Sequence, residues 1–241
     1  MPIWDDVFSP QELAVRAAGG YAARVGMGSR PVLLVIDITY AFTGDKGDDH
    51  LASVAKFRTS CGPAAWVAIP YIQRLLAAGR DRGLPVIYTR ALQLPAEIRG
   101  TLRPKKSRPP GDTPESRDRG NEFTREIAPH PGDVIVEKTT ASAFFQTPLL
   151  AHLQMLRADH VIVAGTSTSG CVRASVYDAF AYKFGVTVVE ECVFDRFPTS
   201  HKVNLFDMDS KFADVEKLDT VLEQIKSVTP WRDAGVTAAS R

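Results

Sequence analysis

Residues 31–38 read PVLLVIDI, an almost unbroken run of leucine and β-branched side chains. A run of this kind, with no polar alternation, predicts a strand buried on both faces of a parallel sheet. Asp37 falls at its carboxyl end. Shorter apolar runs follow at residues 85–89 (PVIYT), 134–136 (VIV), 160–165 (HVIVAG) and 186–190. Helical periodicity occupies residues 68–82, residues 147–157 and the stretch VRASVYDAFAYKFG, each between two strand candidates. Near the start, Ser9, Pro10, Gln11 and Glu12 combine a capping box with a first-turn proline, which predicts a helix over residues 8–18 that stops at Gly19 and Gly20. Alternating strands and helices imply βαβ units with right-handed crossovers. The expected fold is therefore an α/β three-layer α/β/α sandwich around a doubly wound, mostly parallel sheet. Ligands of such sheets bind beyond the carboxyl ends of the strands.

Residues 99–125 break the pattern, because Pro, Gly, Arg, Lys and Asp crowd there without an apolar period. They read as a long loop, either a lid or a subunit contact. Eight basic and four acidic residues in this stretch could form a phosphate-binding arm, but solvated loops share the composition. The apolar runs are otherwise evenly spread, so residues 1–241 are expected to form a single domain with an N-terminal helical extension over about residues 1–30.

Composition narrows the function. The chain is 44% hydrophobic and 24% charged, an ordinary globular profile. Its 29 basic and 28 acidic residues leave a formal charge of +1, so no overall field draws in nucleic acid or an anionic membrane. The expected partner is a small molecule. Neither a signal-peptide pattern nor a membrane-length apolar run is present, and a soluble cytoplasmic protein is expected. Cys61, Cys171 and Cys192 are odd in number and lack CxxC spacing, which argues against disulfide scaffolds and zinc clusters. Taken alone, each reads as a buried small hydrophobe.

Cys171 stands apart through its surroundings, HVIVAGTSTSGCVRASVYDAFAYKFG, where a buried strand ends in small residues and a helix begins. The backbone NH groups and partial positive charge of a helix start lower a thiol's pKa and can bind an oxyanion. Gly165, Ser167, Ser169 and Gly170 leave room for close approach to the backbone. The segment lacks GxGxxG and GK[ST], which argues against a nucleotide cradle. No histidine occupies an obvious position as base. Asp37, at the carboxyl end of the first strand, would lie at the same sheet edge, its pKa raised by burial. Lys138 follows another strand in VIVEKTTASAFF, and its ammonium would favour both anions. Singly, such an Asp reads as a helix cap and such a Lys as solvent-exposed; together, the three strand ends converge on one chemistry.

The set Asp37 in LLVIDI, Lys138 in EKTTASAFF and Cys171 in GTSTSGC resembles the Asp-Lys-Cys triad of cysteine hydrolases in the isochorismatase-like superfamily. Within it, TSTSGCVRAS, ECVFDR and NLFDMDSK are most similar to the N-carbamoylsarcosine and maleamate amidohydrolases, over about residues 21–221. The resemblance implies that Cys171 attacks an amide or carbamoyl carbon, that Asp37 moves the thiol proton to departing ammonia, and that Lys138 holds the pair. It further implies an oxyanion hole from the backbone NH groups of Ser167 and Cys171, and a cis peptide between Thr166 and Ser167. Arg196 would grip a substrate carboxylate, with Thr166 and His201 beside the pocket. The implied substrate is a small amide or ureide bearing a carboxylate: N-carbamoylsarcosine, or alternatively maleamate. Vinyl-ether cleavage needs no nucleophilic cysteine, and a binding protein on the same fold would show an inert thiol. No cofactor is implied. The Asp-x-His metal pair of nicotinamidase relatives has no counterpart in DITYAF after Asp37. His50, His130, His152, His160 and His201 show no ligand spacing and are expected mostly at the surface or at caps. A homotetramer with sites near subunit contacts is also implied.

Overall fold

The computed structural model describes residues 2–94 and 113–231. In chain order the elements are α1 (Pro10–Ala18), β1 (Pro31–Ile36), α2 (Tyr40–Thr43), α3 (His50–Lys56), α4 (Pro63–Asp81), β2 (Val86–Ala91) and α5 (Pro114–Gly120). There follow β3 (Val134–Lys138), α6 (Leu149–Met155), β4 (His160–Thr166), α7 (Arg173–Ala181), β5 (Gly185–Phe194), α8 (Pro198–Lys211), β6 (Asp214–Glu216) and α9 (Leu218–Ser227). The six strands form one sheet in the order β3-β2-β1-β4-β5-β6, with every neighbouring pair parallel. The expected doubly wound α/β architecture is what the chain adopts. The order reverses between β1 and β4, and that switch point positions the site described below.

All six residues of β1 are buried, and successive side chains enter opposite layers. Val32, Leu34 and Ile36 join Leu149, Leu153, Val176, Leu205 and Met208 under α6, α7 and α8. Leu33 and Val35 join Ile69, Ile72, Leu75, Val221 and Ile225 under α4 and α9. Burying each such side chain contributes about 1.5–3 kcal/mol. Gly165 of β4 faces Ile36 in register and has φ +119°. A Cβ there would lie 2.1 Å from the Ile36 carbonyl oxygen, so β1 and β4 can approach this closely only at glycine.

The N-terminal helix forms as its capping box predicts: Glu12 N donates to Ser9 Oγ at 3.3 Å and Ser9 N donates to the Glu12 carboxylate at 2.8 Å. The segment after it is tied down by the buried carboxylates of Asp209, which pairs with Arg16 and Arg24, and Asp214, which accepts from the backbone NH groups of Val25 and Gly26.

Several boundaries differ from expectation. β1 ends at Ile36 because Asp37 turns into the left-handed region at φ +53°. β3 runs on to Lys138, so that lysine closes the strand instead of following it. β5 continues to Phe194, and α4 begins five residues earlier than its apolar period, at the N-terminal pair Gly62 and Pro63. The three-residue β6 was not anticipated. The predicted loop at residues 99–125 contains α5, started by a Thr113–Ser116 capping pair, and a 3₁₀ turn over Arg125–Ile127. The remainder of that stretch, residues 99–112, lies outside the described residues. His160, one of the five histidines expected mostly at the surface or at caps, is buried at the start of β4. Its Nδ1 accepts from Gly28 N at 3.3 Å and its Nε2 pairs with Thr187 Oγ1 at 2.8 Å. Among the described residues no helix is long and apolar enough to cross a membrane.

Candidate active site

Asp37 leaves the sheet at the carboxyl end of β1, and its side chain is 3% exposed. Its two carboxylate oxygens have different partners. Thr89 Oγ1, at the corresponding position of β2, donates to Oδ1 at 2.7 Å, while Lys138 Nζ, from the end of β3, donates to Oδ2 at 2.7 Å. Lys138 also donates to the Thr140 carbonyl at 3.1 Å. Burial alone would push the Lys138 ammonium down, but Asp37 and the Cys171 sulfur hold it above the ordinary lysine range. The Cys171 sulfur lies close enough to Asp37 and Lys138 for both charges to act on it, Asp37 raising and Lys138 lowering its pKa. Three strand ends thus meet at one point.

Cys171 sits in a π-helical turn, Thr168–Val172, between β4 and α7, not in the first turn of a regular α-helix. The turn is pinned at both ends. Ser169 N and Oγ donate to Asp195 Oδ2 at 2.8 and 2.7 Å, and Ser175 Oγ donates to the Cys171 carbonyl at 2.7 Å. The peptide joining Thr166 to Ser167 is cis. Burial, reinforced by the neighbouring Asp37 charge, pushes the Cys171 thiol up to about 12. This corrects the expectation of a lowered thiol pKa: in this pocket desolvation and the Asp37 charge outweigh Lys138. Cys61 and Cys192 are also raised by burial, and both are fully buried among the core residues beneath α4 and α9. For these two the reading as small hydrophobes holds.

The other expected residues fall around the turn with less freedom than foreseen. Arg196 Nη2 donates to the Thr59 carbonyl at 2.7 Å and to Ser167 Oγ at 2.8 Å, and Nη1 lies 3.6 Å from Asp195. Both Nη2 protons are therefore committed, and a two-pronged grip through that nitrogen is blocked. Glu191, five residues before it, accepts from Leu218 N. Thr166 is fully buried, with its hydroxyl on the Phe194 carbonyl at 3.2 Å and the Cys61 sulfur at 3.3 Å. His201 Nδ1 pairs with Thr168 Oγ1 at 2.8 Å, and burial pushes its pKa down to about 4, leaving a neutral ring. Among the described residues no group of three or more His, Cys, Asp or Glu could hold a metal ion.

Thr89 was missed by the sequence reading. Its place at the end of the apolar run 85–89 was visible in the sequence, but its bond to Asp37 was not. Lys138 also forms part of the wall of a cleft of about 730 Å³ that opens along the loops after β1, β2 and β3.

Residues 31–220 match the isochorismatase domain. The chain belongs to the isochorismatase family. It is 34% identical over 209 residues to a maleamate amidohydrolase of Pseudomonas putida, a match covering 86% of this chain and 92% of that protein. It is 33% identical over 217 residues to an N-carbamoylsarcosine amidase of an Arthrobacter species, covering 89% and 78%. A cysteine hydrolase from Pseudomonas syringae pv. phaseolicola superposes with a TM-score of 0.69 at 20% identity, covering 85% of this chain and 96% of that one, which speaks for the fold alone. Within this isochorismatase-family fold, the triad candidates lie inside the matched region, whereas α1 precedes it.

Proposed function

We propose that this chain is an amidohydrolase that cleaves a terminal amide or carbamoyl C–N bond of a small carboxylate-bearing substrate, N-carbamoylsarcosine or alternatively maleamate, through a Cys171 acyl-enzyme. The contact of a buried carboxylate, a buried ammonium and a half-buried thiol at the switch point of the sheet carries this reading. The two curated relatives, named for these two substrates, support the reaction class and leave both substrates open.

A thiol raised to about 12 is too poor an acid to supply a standing thiolate near neutral pH. Attack therefore couples S–C bond formation to transfer of the thiol proton onto Asp37, with Lys138 balancing the charge throughout. The tetrahedral oxyanion is received by the backbone NH groups of Ser167 and Cys171. As the C–N bond breaks, Asp37 returns the proton to the departing nitrogen, which leaves as ammonia. Water, deprotonated by Asp37, then attacks the thioester and restores the thiol. With maleamate the second product is maleate. With N-carbamoylsarcosine it is the carbamate, which loses carbon dioxide to give sarcosine. Thr89 acts as a positioning residue, fixing the carboxylate rotamer through Oδ1.

Ammonia release from the two compounds, with wild type and Cys171→Ala, is the test. Release that depends on Cys171 is expected from at least one. Release from neither, or undiminished release by the variant, overturns the assignment, and an inert Cys171 with retained ligand affinity would favour a binding protein.

A further inference from the structure

The β4–β5 ladder ends at the pair Thr166 and Phe194. β5 reaches that pairing through a register shift between Val163 and Gly165, where it takes up extra residues. A bulge of this kind re-aims the chain that follows. Here it brings Asp195, the first residue beyond β5, level with Ser167, the first beyond β4. Past this point side chains take over from the ladder in holding the two chains together.

Asp195 is the hub of that junction. Its carboxylate is fully buried, a position that is costly for a charge unless hydrogen bonds and a counter-charge satisfy it. Oδ2 accepts from Ser169 N at 2.8 Å and Ser169 Oγ at 2.7 Å, and Oδ1 accepts from Arg196 N at 2.7 Å with Arg196 Nη1 3.6 Å away. Arg196 Nη2 in turn donates to Ser167 Oγ at 2.8 Å. One carboxylate thus grips Ser169 directly and Ser167 through its neighbour, and these two residues bracket the entry to the π-helical turn that carries Cys171. The buried Nε of Arg196 has no partner, so bracing the turn does not exhaust its donors.

Resting on the amidohydrolase reading above, we propose that Asp195 is a positioning residue: it carries the rigidity of the β4–β5 pair into the nucleophile turn and so fixes where the Cys171 sulfur stands relative to Asp37 and the attacked carbon. Asp195→Asn isolates this role, because the amide keeps the volume of the carboxylate. Its oxygen turns toward the cationic Arg196, which sets its NH2 against the Ser169 N–H, donor against donor. The fault therefore falls on the turn and spares Arg196.

Ammonia release from N-carbamoylsarcosine and maleamate is followed well below each variant's melting temperature. A nucleophile displaced by about 1 Å loses about 100-fold in rate, so Asp195→Asn should lower kcat by about that factor with KM within about threefold of wild type. Ser169→Ala removes the hydroxyl bond and keeps the Ser169 N bond, and should cost about tenfold. The double variant should be no slower than Asp195→Asn alone, because the hydroxyl acts through the carboxylate. A second readout needs no turnover. Succinic semialdehyde adds the Cys171 thiol across its C=O, the thiol proton ending on the aldehyde oxygen, whereas maleate binds without reacting. In calorimetric titrations Asp195→Asn should weaken the aldehyde at least about tenfold and leave maleate nearly unchanged. A kcat within about threefold of wild type in Asp195→Asn overturns the proposal, as does a wild-type kcat in Ser169→Ala should the first variant not fold. Equal weakening of aldehyde and maleate, or losses that multiply in the double variant, would mark a merely structural carboxylate and overturns it too. Selective loss of the aldehyde with no ammonia release by wild type upholds this proposal and sinks the amidohydrolase reading, and Cys171-dependent release with untouched variants sinks this proposal alone.

Discussion

Gly165→Ala tests the geometry on which the site depends. Gly165 has φ +119° and lies beside Ile36, one residue before Asp37. A Cβ at this position would approach the Ile36 carbonyl oxygen to 2.1 Å, its nitrogen to 2.6 Å and its carbonyl carbon to 2.8 Å. All three atoms are backbone, so no side chain can move aside. β1 and β4 must separate by roughly 1 Å, and the buried ladder groups released there cost about 1–3 kcal/mol each. The backbone conformation adds about 1–3 kcal/mol for a residue with a side chain. With two ladder groups released the sum is about 3–9 kcal/mol, a Tm drop of at least about 6 °C for a chain of this size.

Gly20→Ala is the matched control, since Gly20 also has positive φ, +69°, but no atom lies within 4 Å of the added Cβ. It should lose only about 1 kcal/mol and a few degrees. Thermal unfolding followed by circular dichroism measures both variants, with ammonia release on the survivors. Equal, small shifts in the two, with full turnover by Gly165→Ala, would refute the argument that the close approach of β1 and β4 fixes where Asp37 points.

Three further outcomes follow from the site. Alkylation of Cys171 by iodoacetamide should be slow at neutral pH and rise about tenfold per pH unit toward a midpoint near 12, read by intact-mass spectrometry; a plateau already at pH 7 would show a standing thiolate instead. Lys138→Met should abolish turnover and destabilise by about 3–5 kcal/mol in urea titrations, because it strips the buried Asp37 carboxylate of its counter-charge; a variant as stable as wild type contradicts this. Acid should weaken the fold through His160, whose pKa burial pushes from 6.5 to about 4. The unfolded chain binds that proton first, so the contribution, about 3 kcal/mol at most, is present above pH 6.5 and lost as pH falls toward 4. His160→Gln should flatten the fall of stability across that window, and an unchanged slope would assign the acid sensitivity elsewhere.

What could be read in the sequence divides along a physical line. β1 declared itself because all six of its residues are apolar and buried on both faces, and Asp37 and Cys171 were placed at one edge because parallel strands share a carboxyl end. Thr89 was harder, since its bond to Asp37 depends on the register between β1 and β2, a relation between residues 52 apart that no local pattern encodes. The direction of the Cys171 shift failed for a related reason: the helix start is visible in sequence, but the depth of burial that raises the pKa is a property of the packed state. Arg196 was read only as a grip for a substrate carboxylate, and its bonds to Ser167 and to the Thr59 carbonyl were not foreseen, the latter arising from a loop with no periodic signal. β6 and α5 were lost for want of length, at three and seven residues.

The switch point also explains why these particular side chains supply the chemistry. β1 and β4 are neighbours whose chains leave in opposite directions, so the turn carrying Cys171 and the bend at Asp37 face each other across a gap. A third and fourth group must come from the flank. β2 is one strand away, about 4.8 Å, and a threonine is long enough to reach Asp37 from there. β3 is two strands away, about 10 Å, and only a long, unbranched side chain spans that gap to deliver a point charge with several donors. Lysine meets both demands, and its remaining proton goes to the Thr140 carbonyl, which fixes the ammonium between carboxylate and thiol. Side-chain length is thus matched to strand distance, and the reactive cluster is as much a consequence of strand order as of residue type.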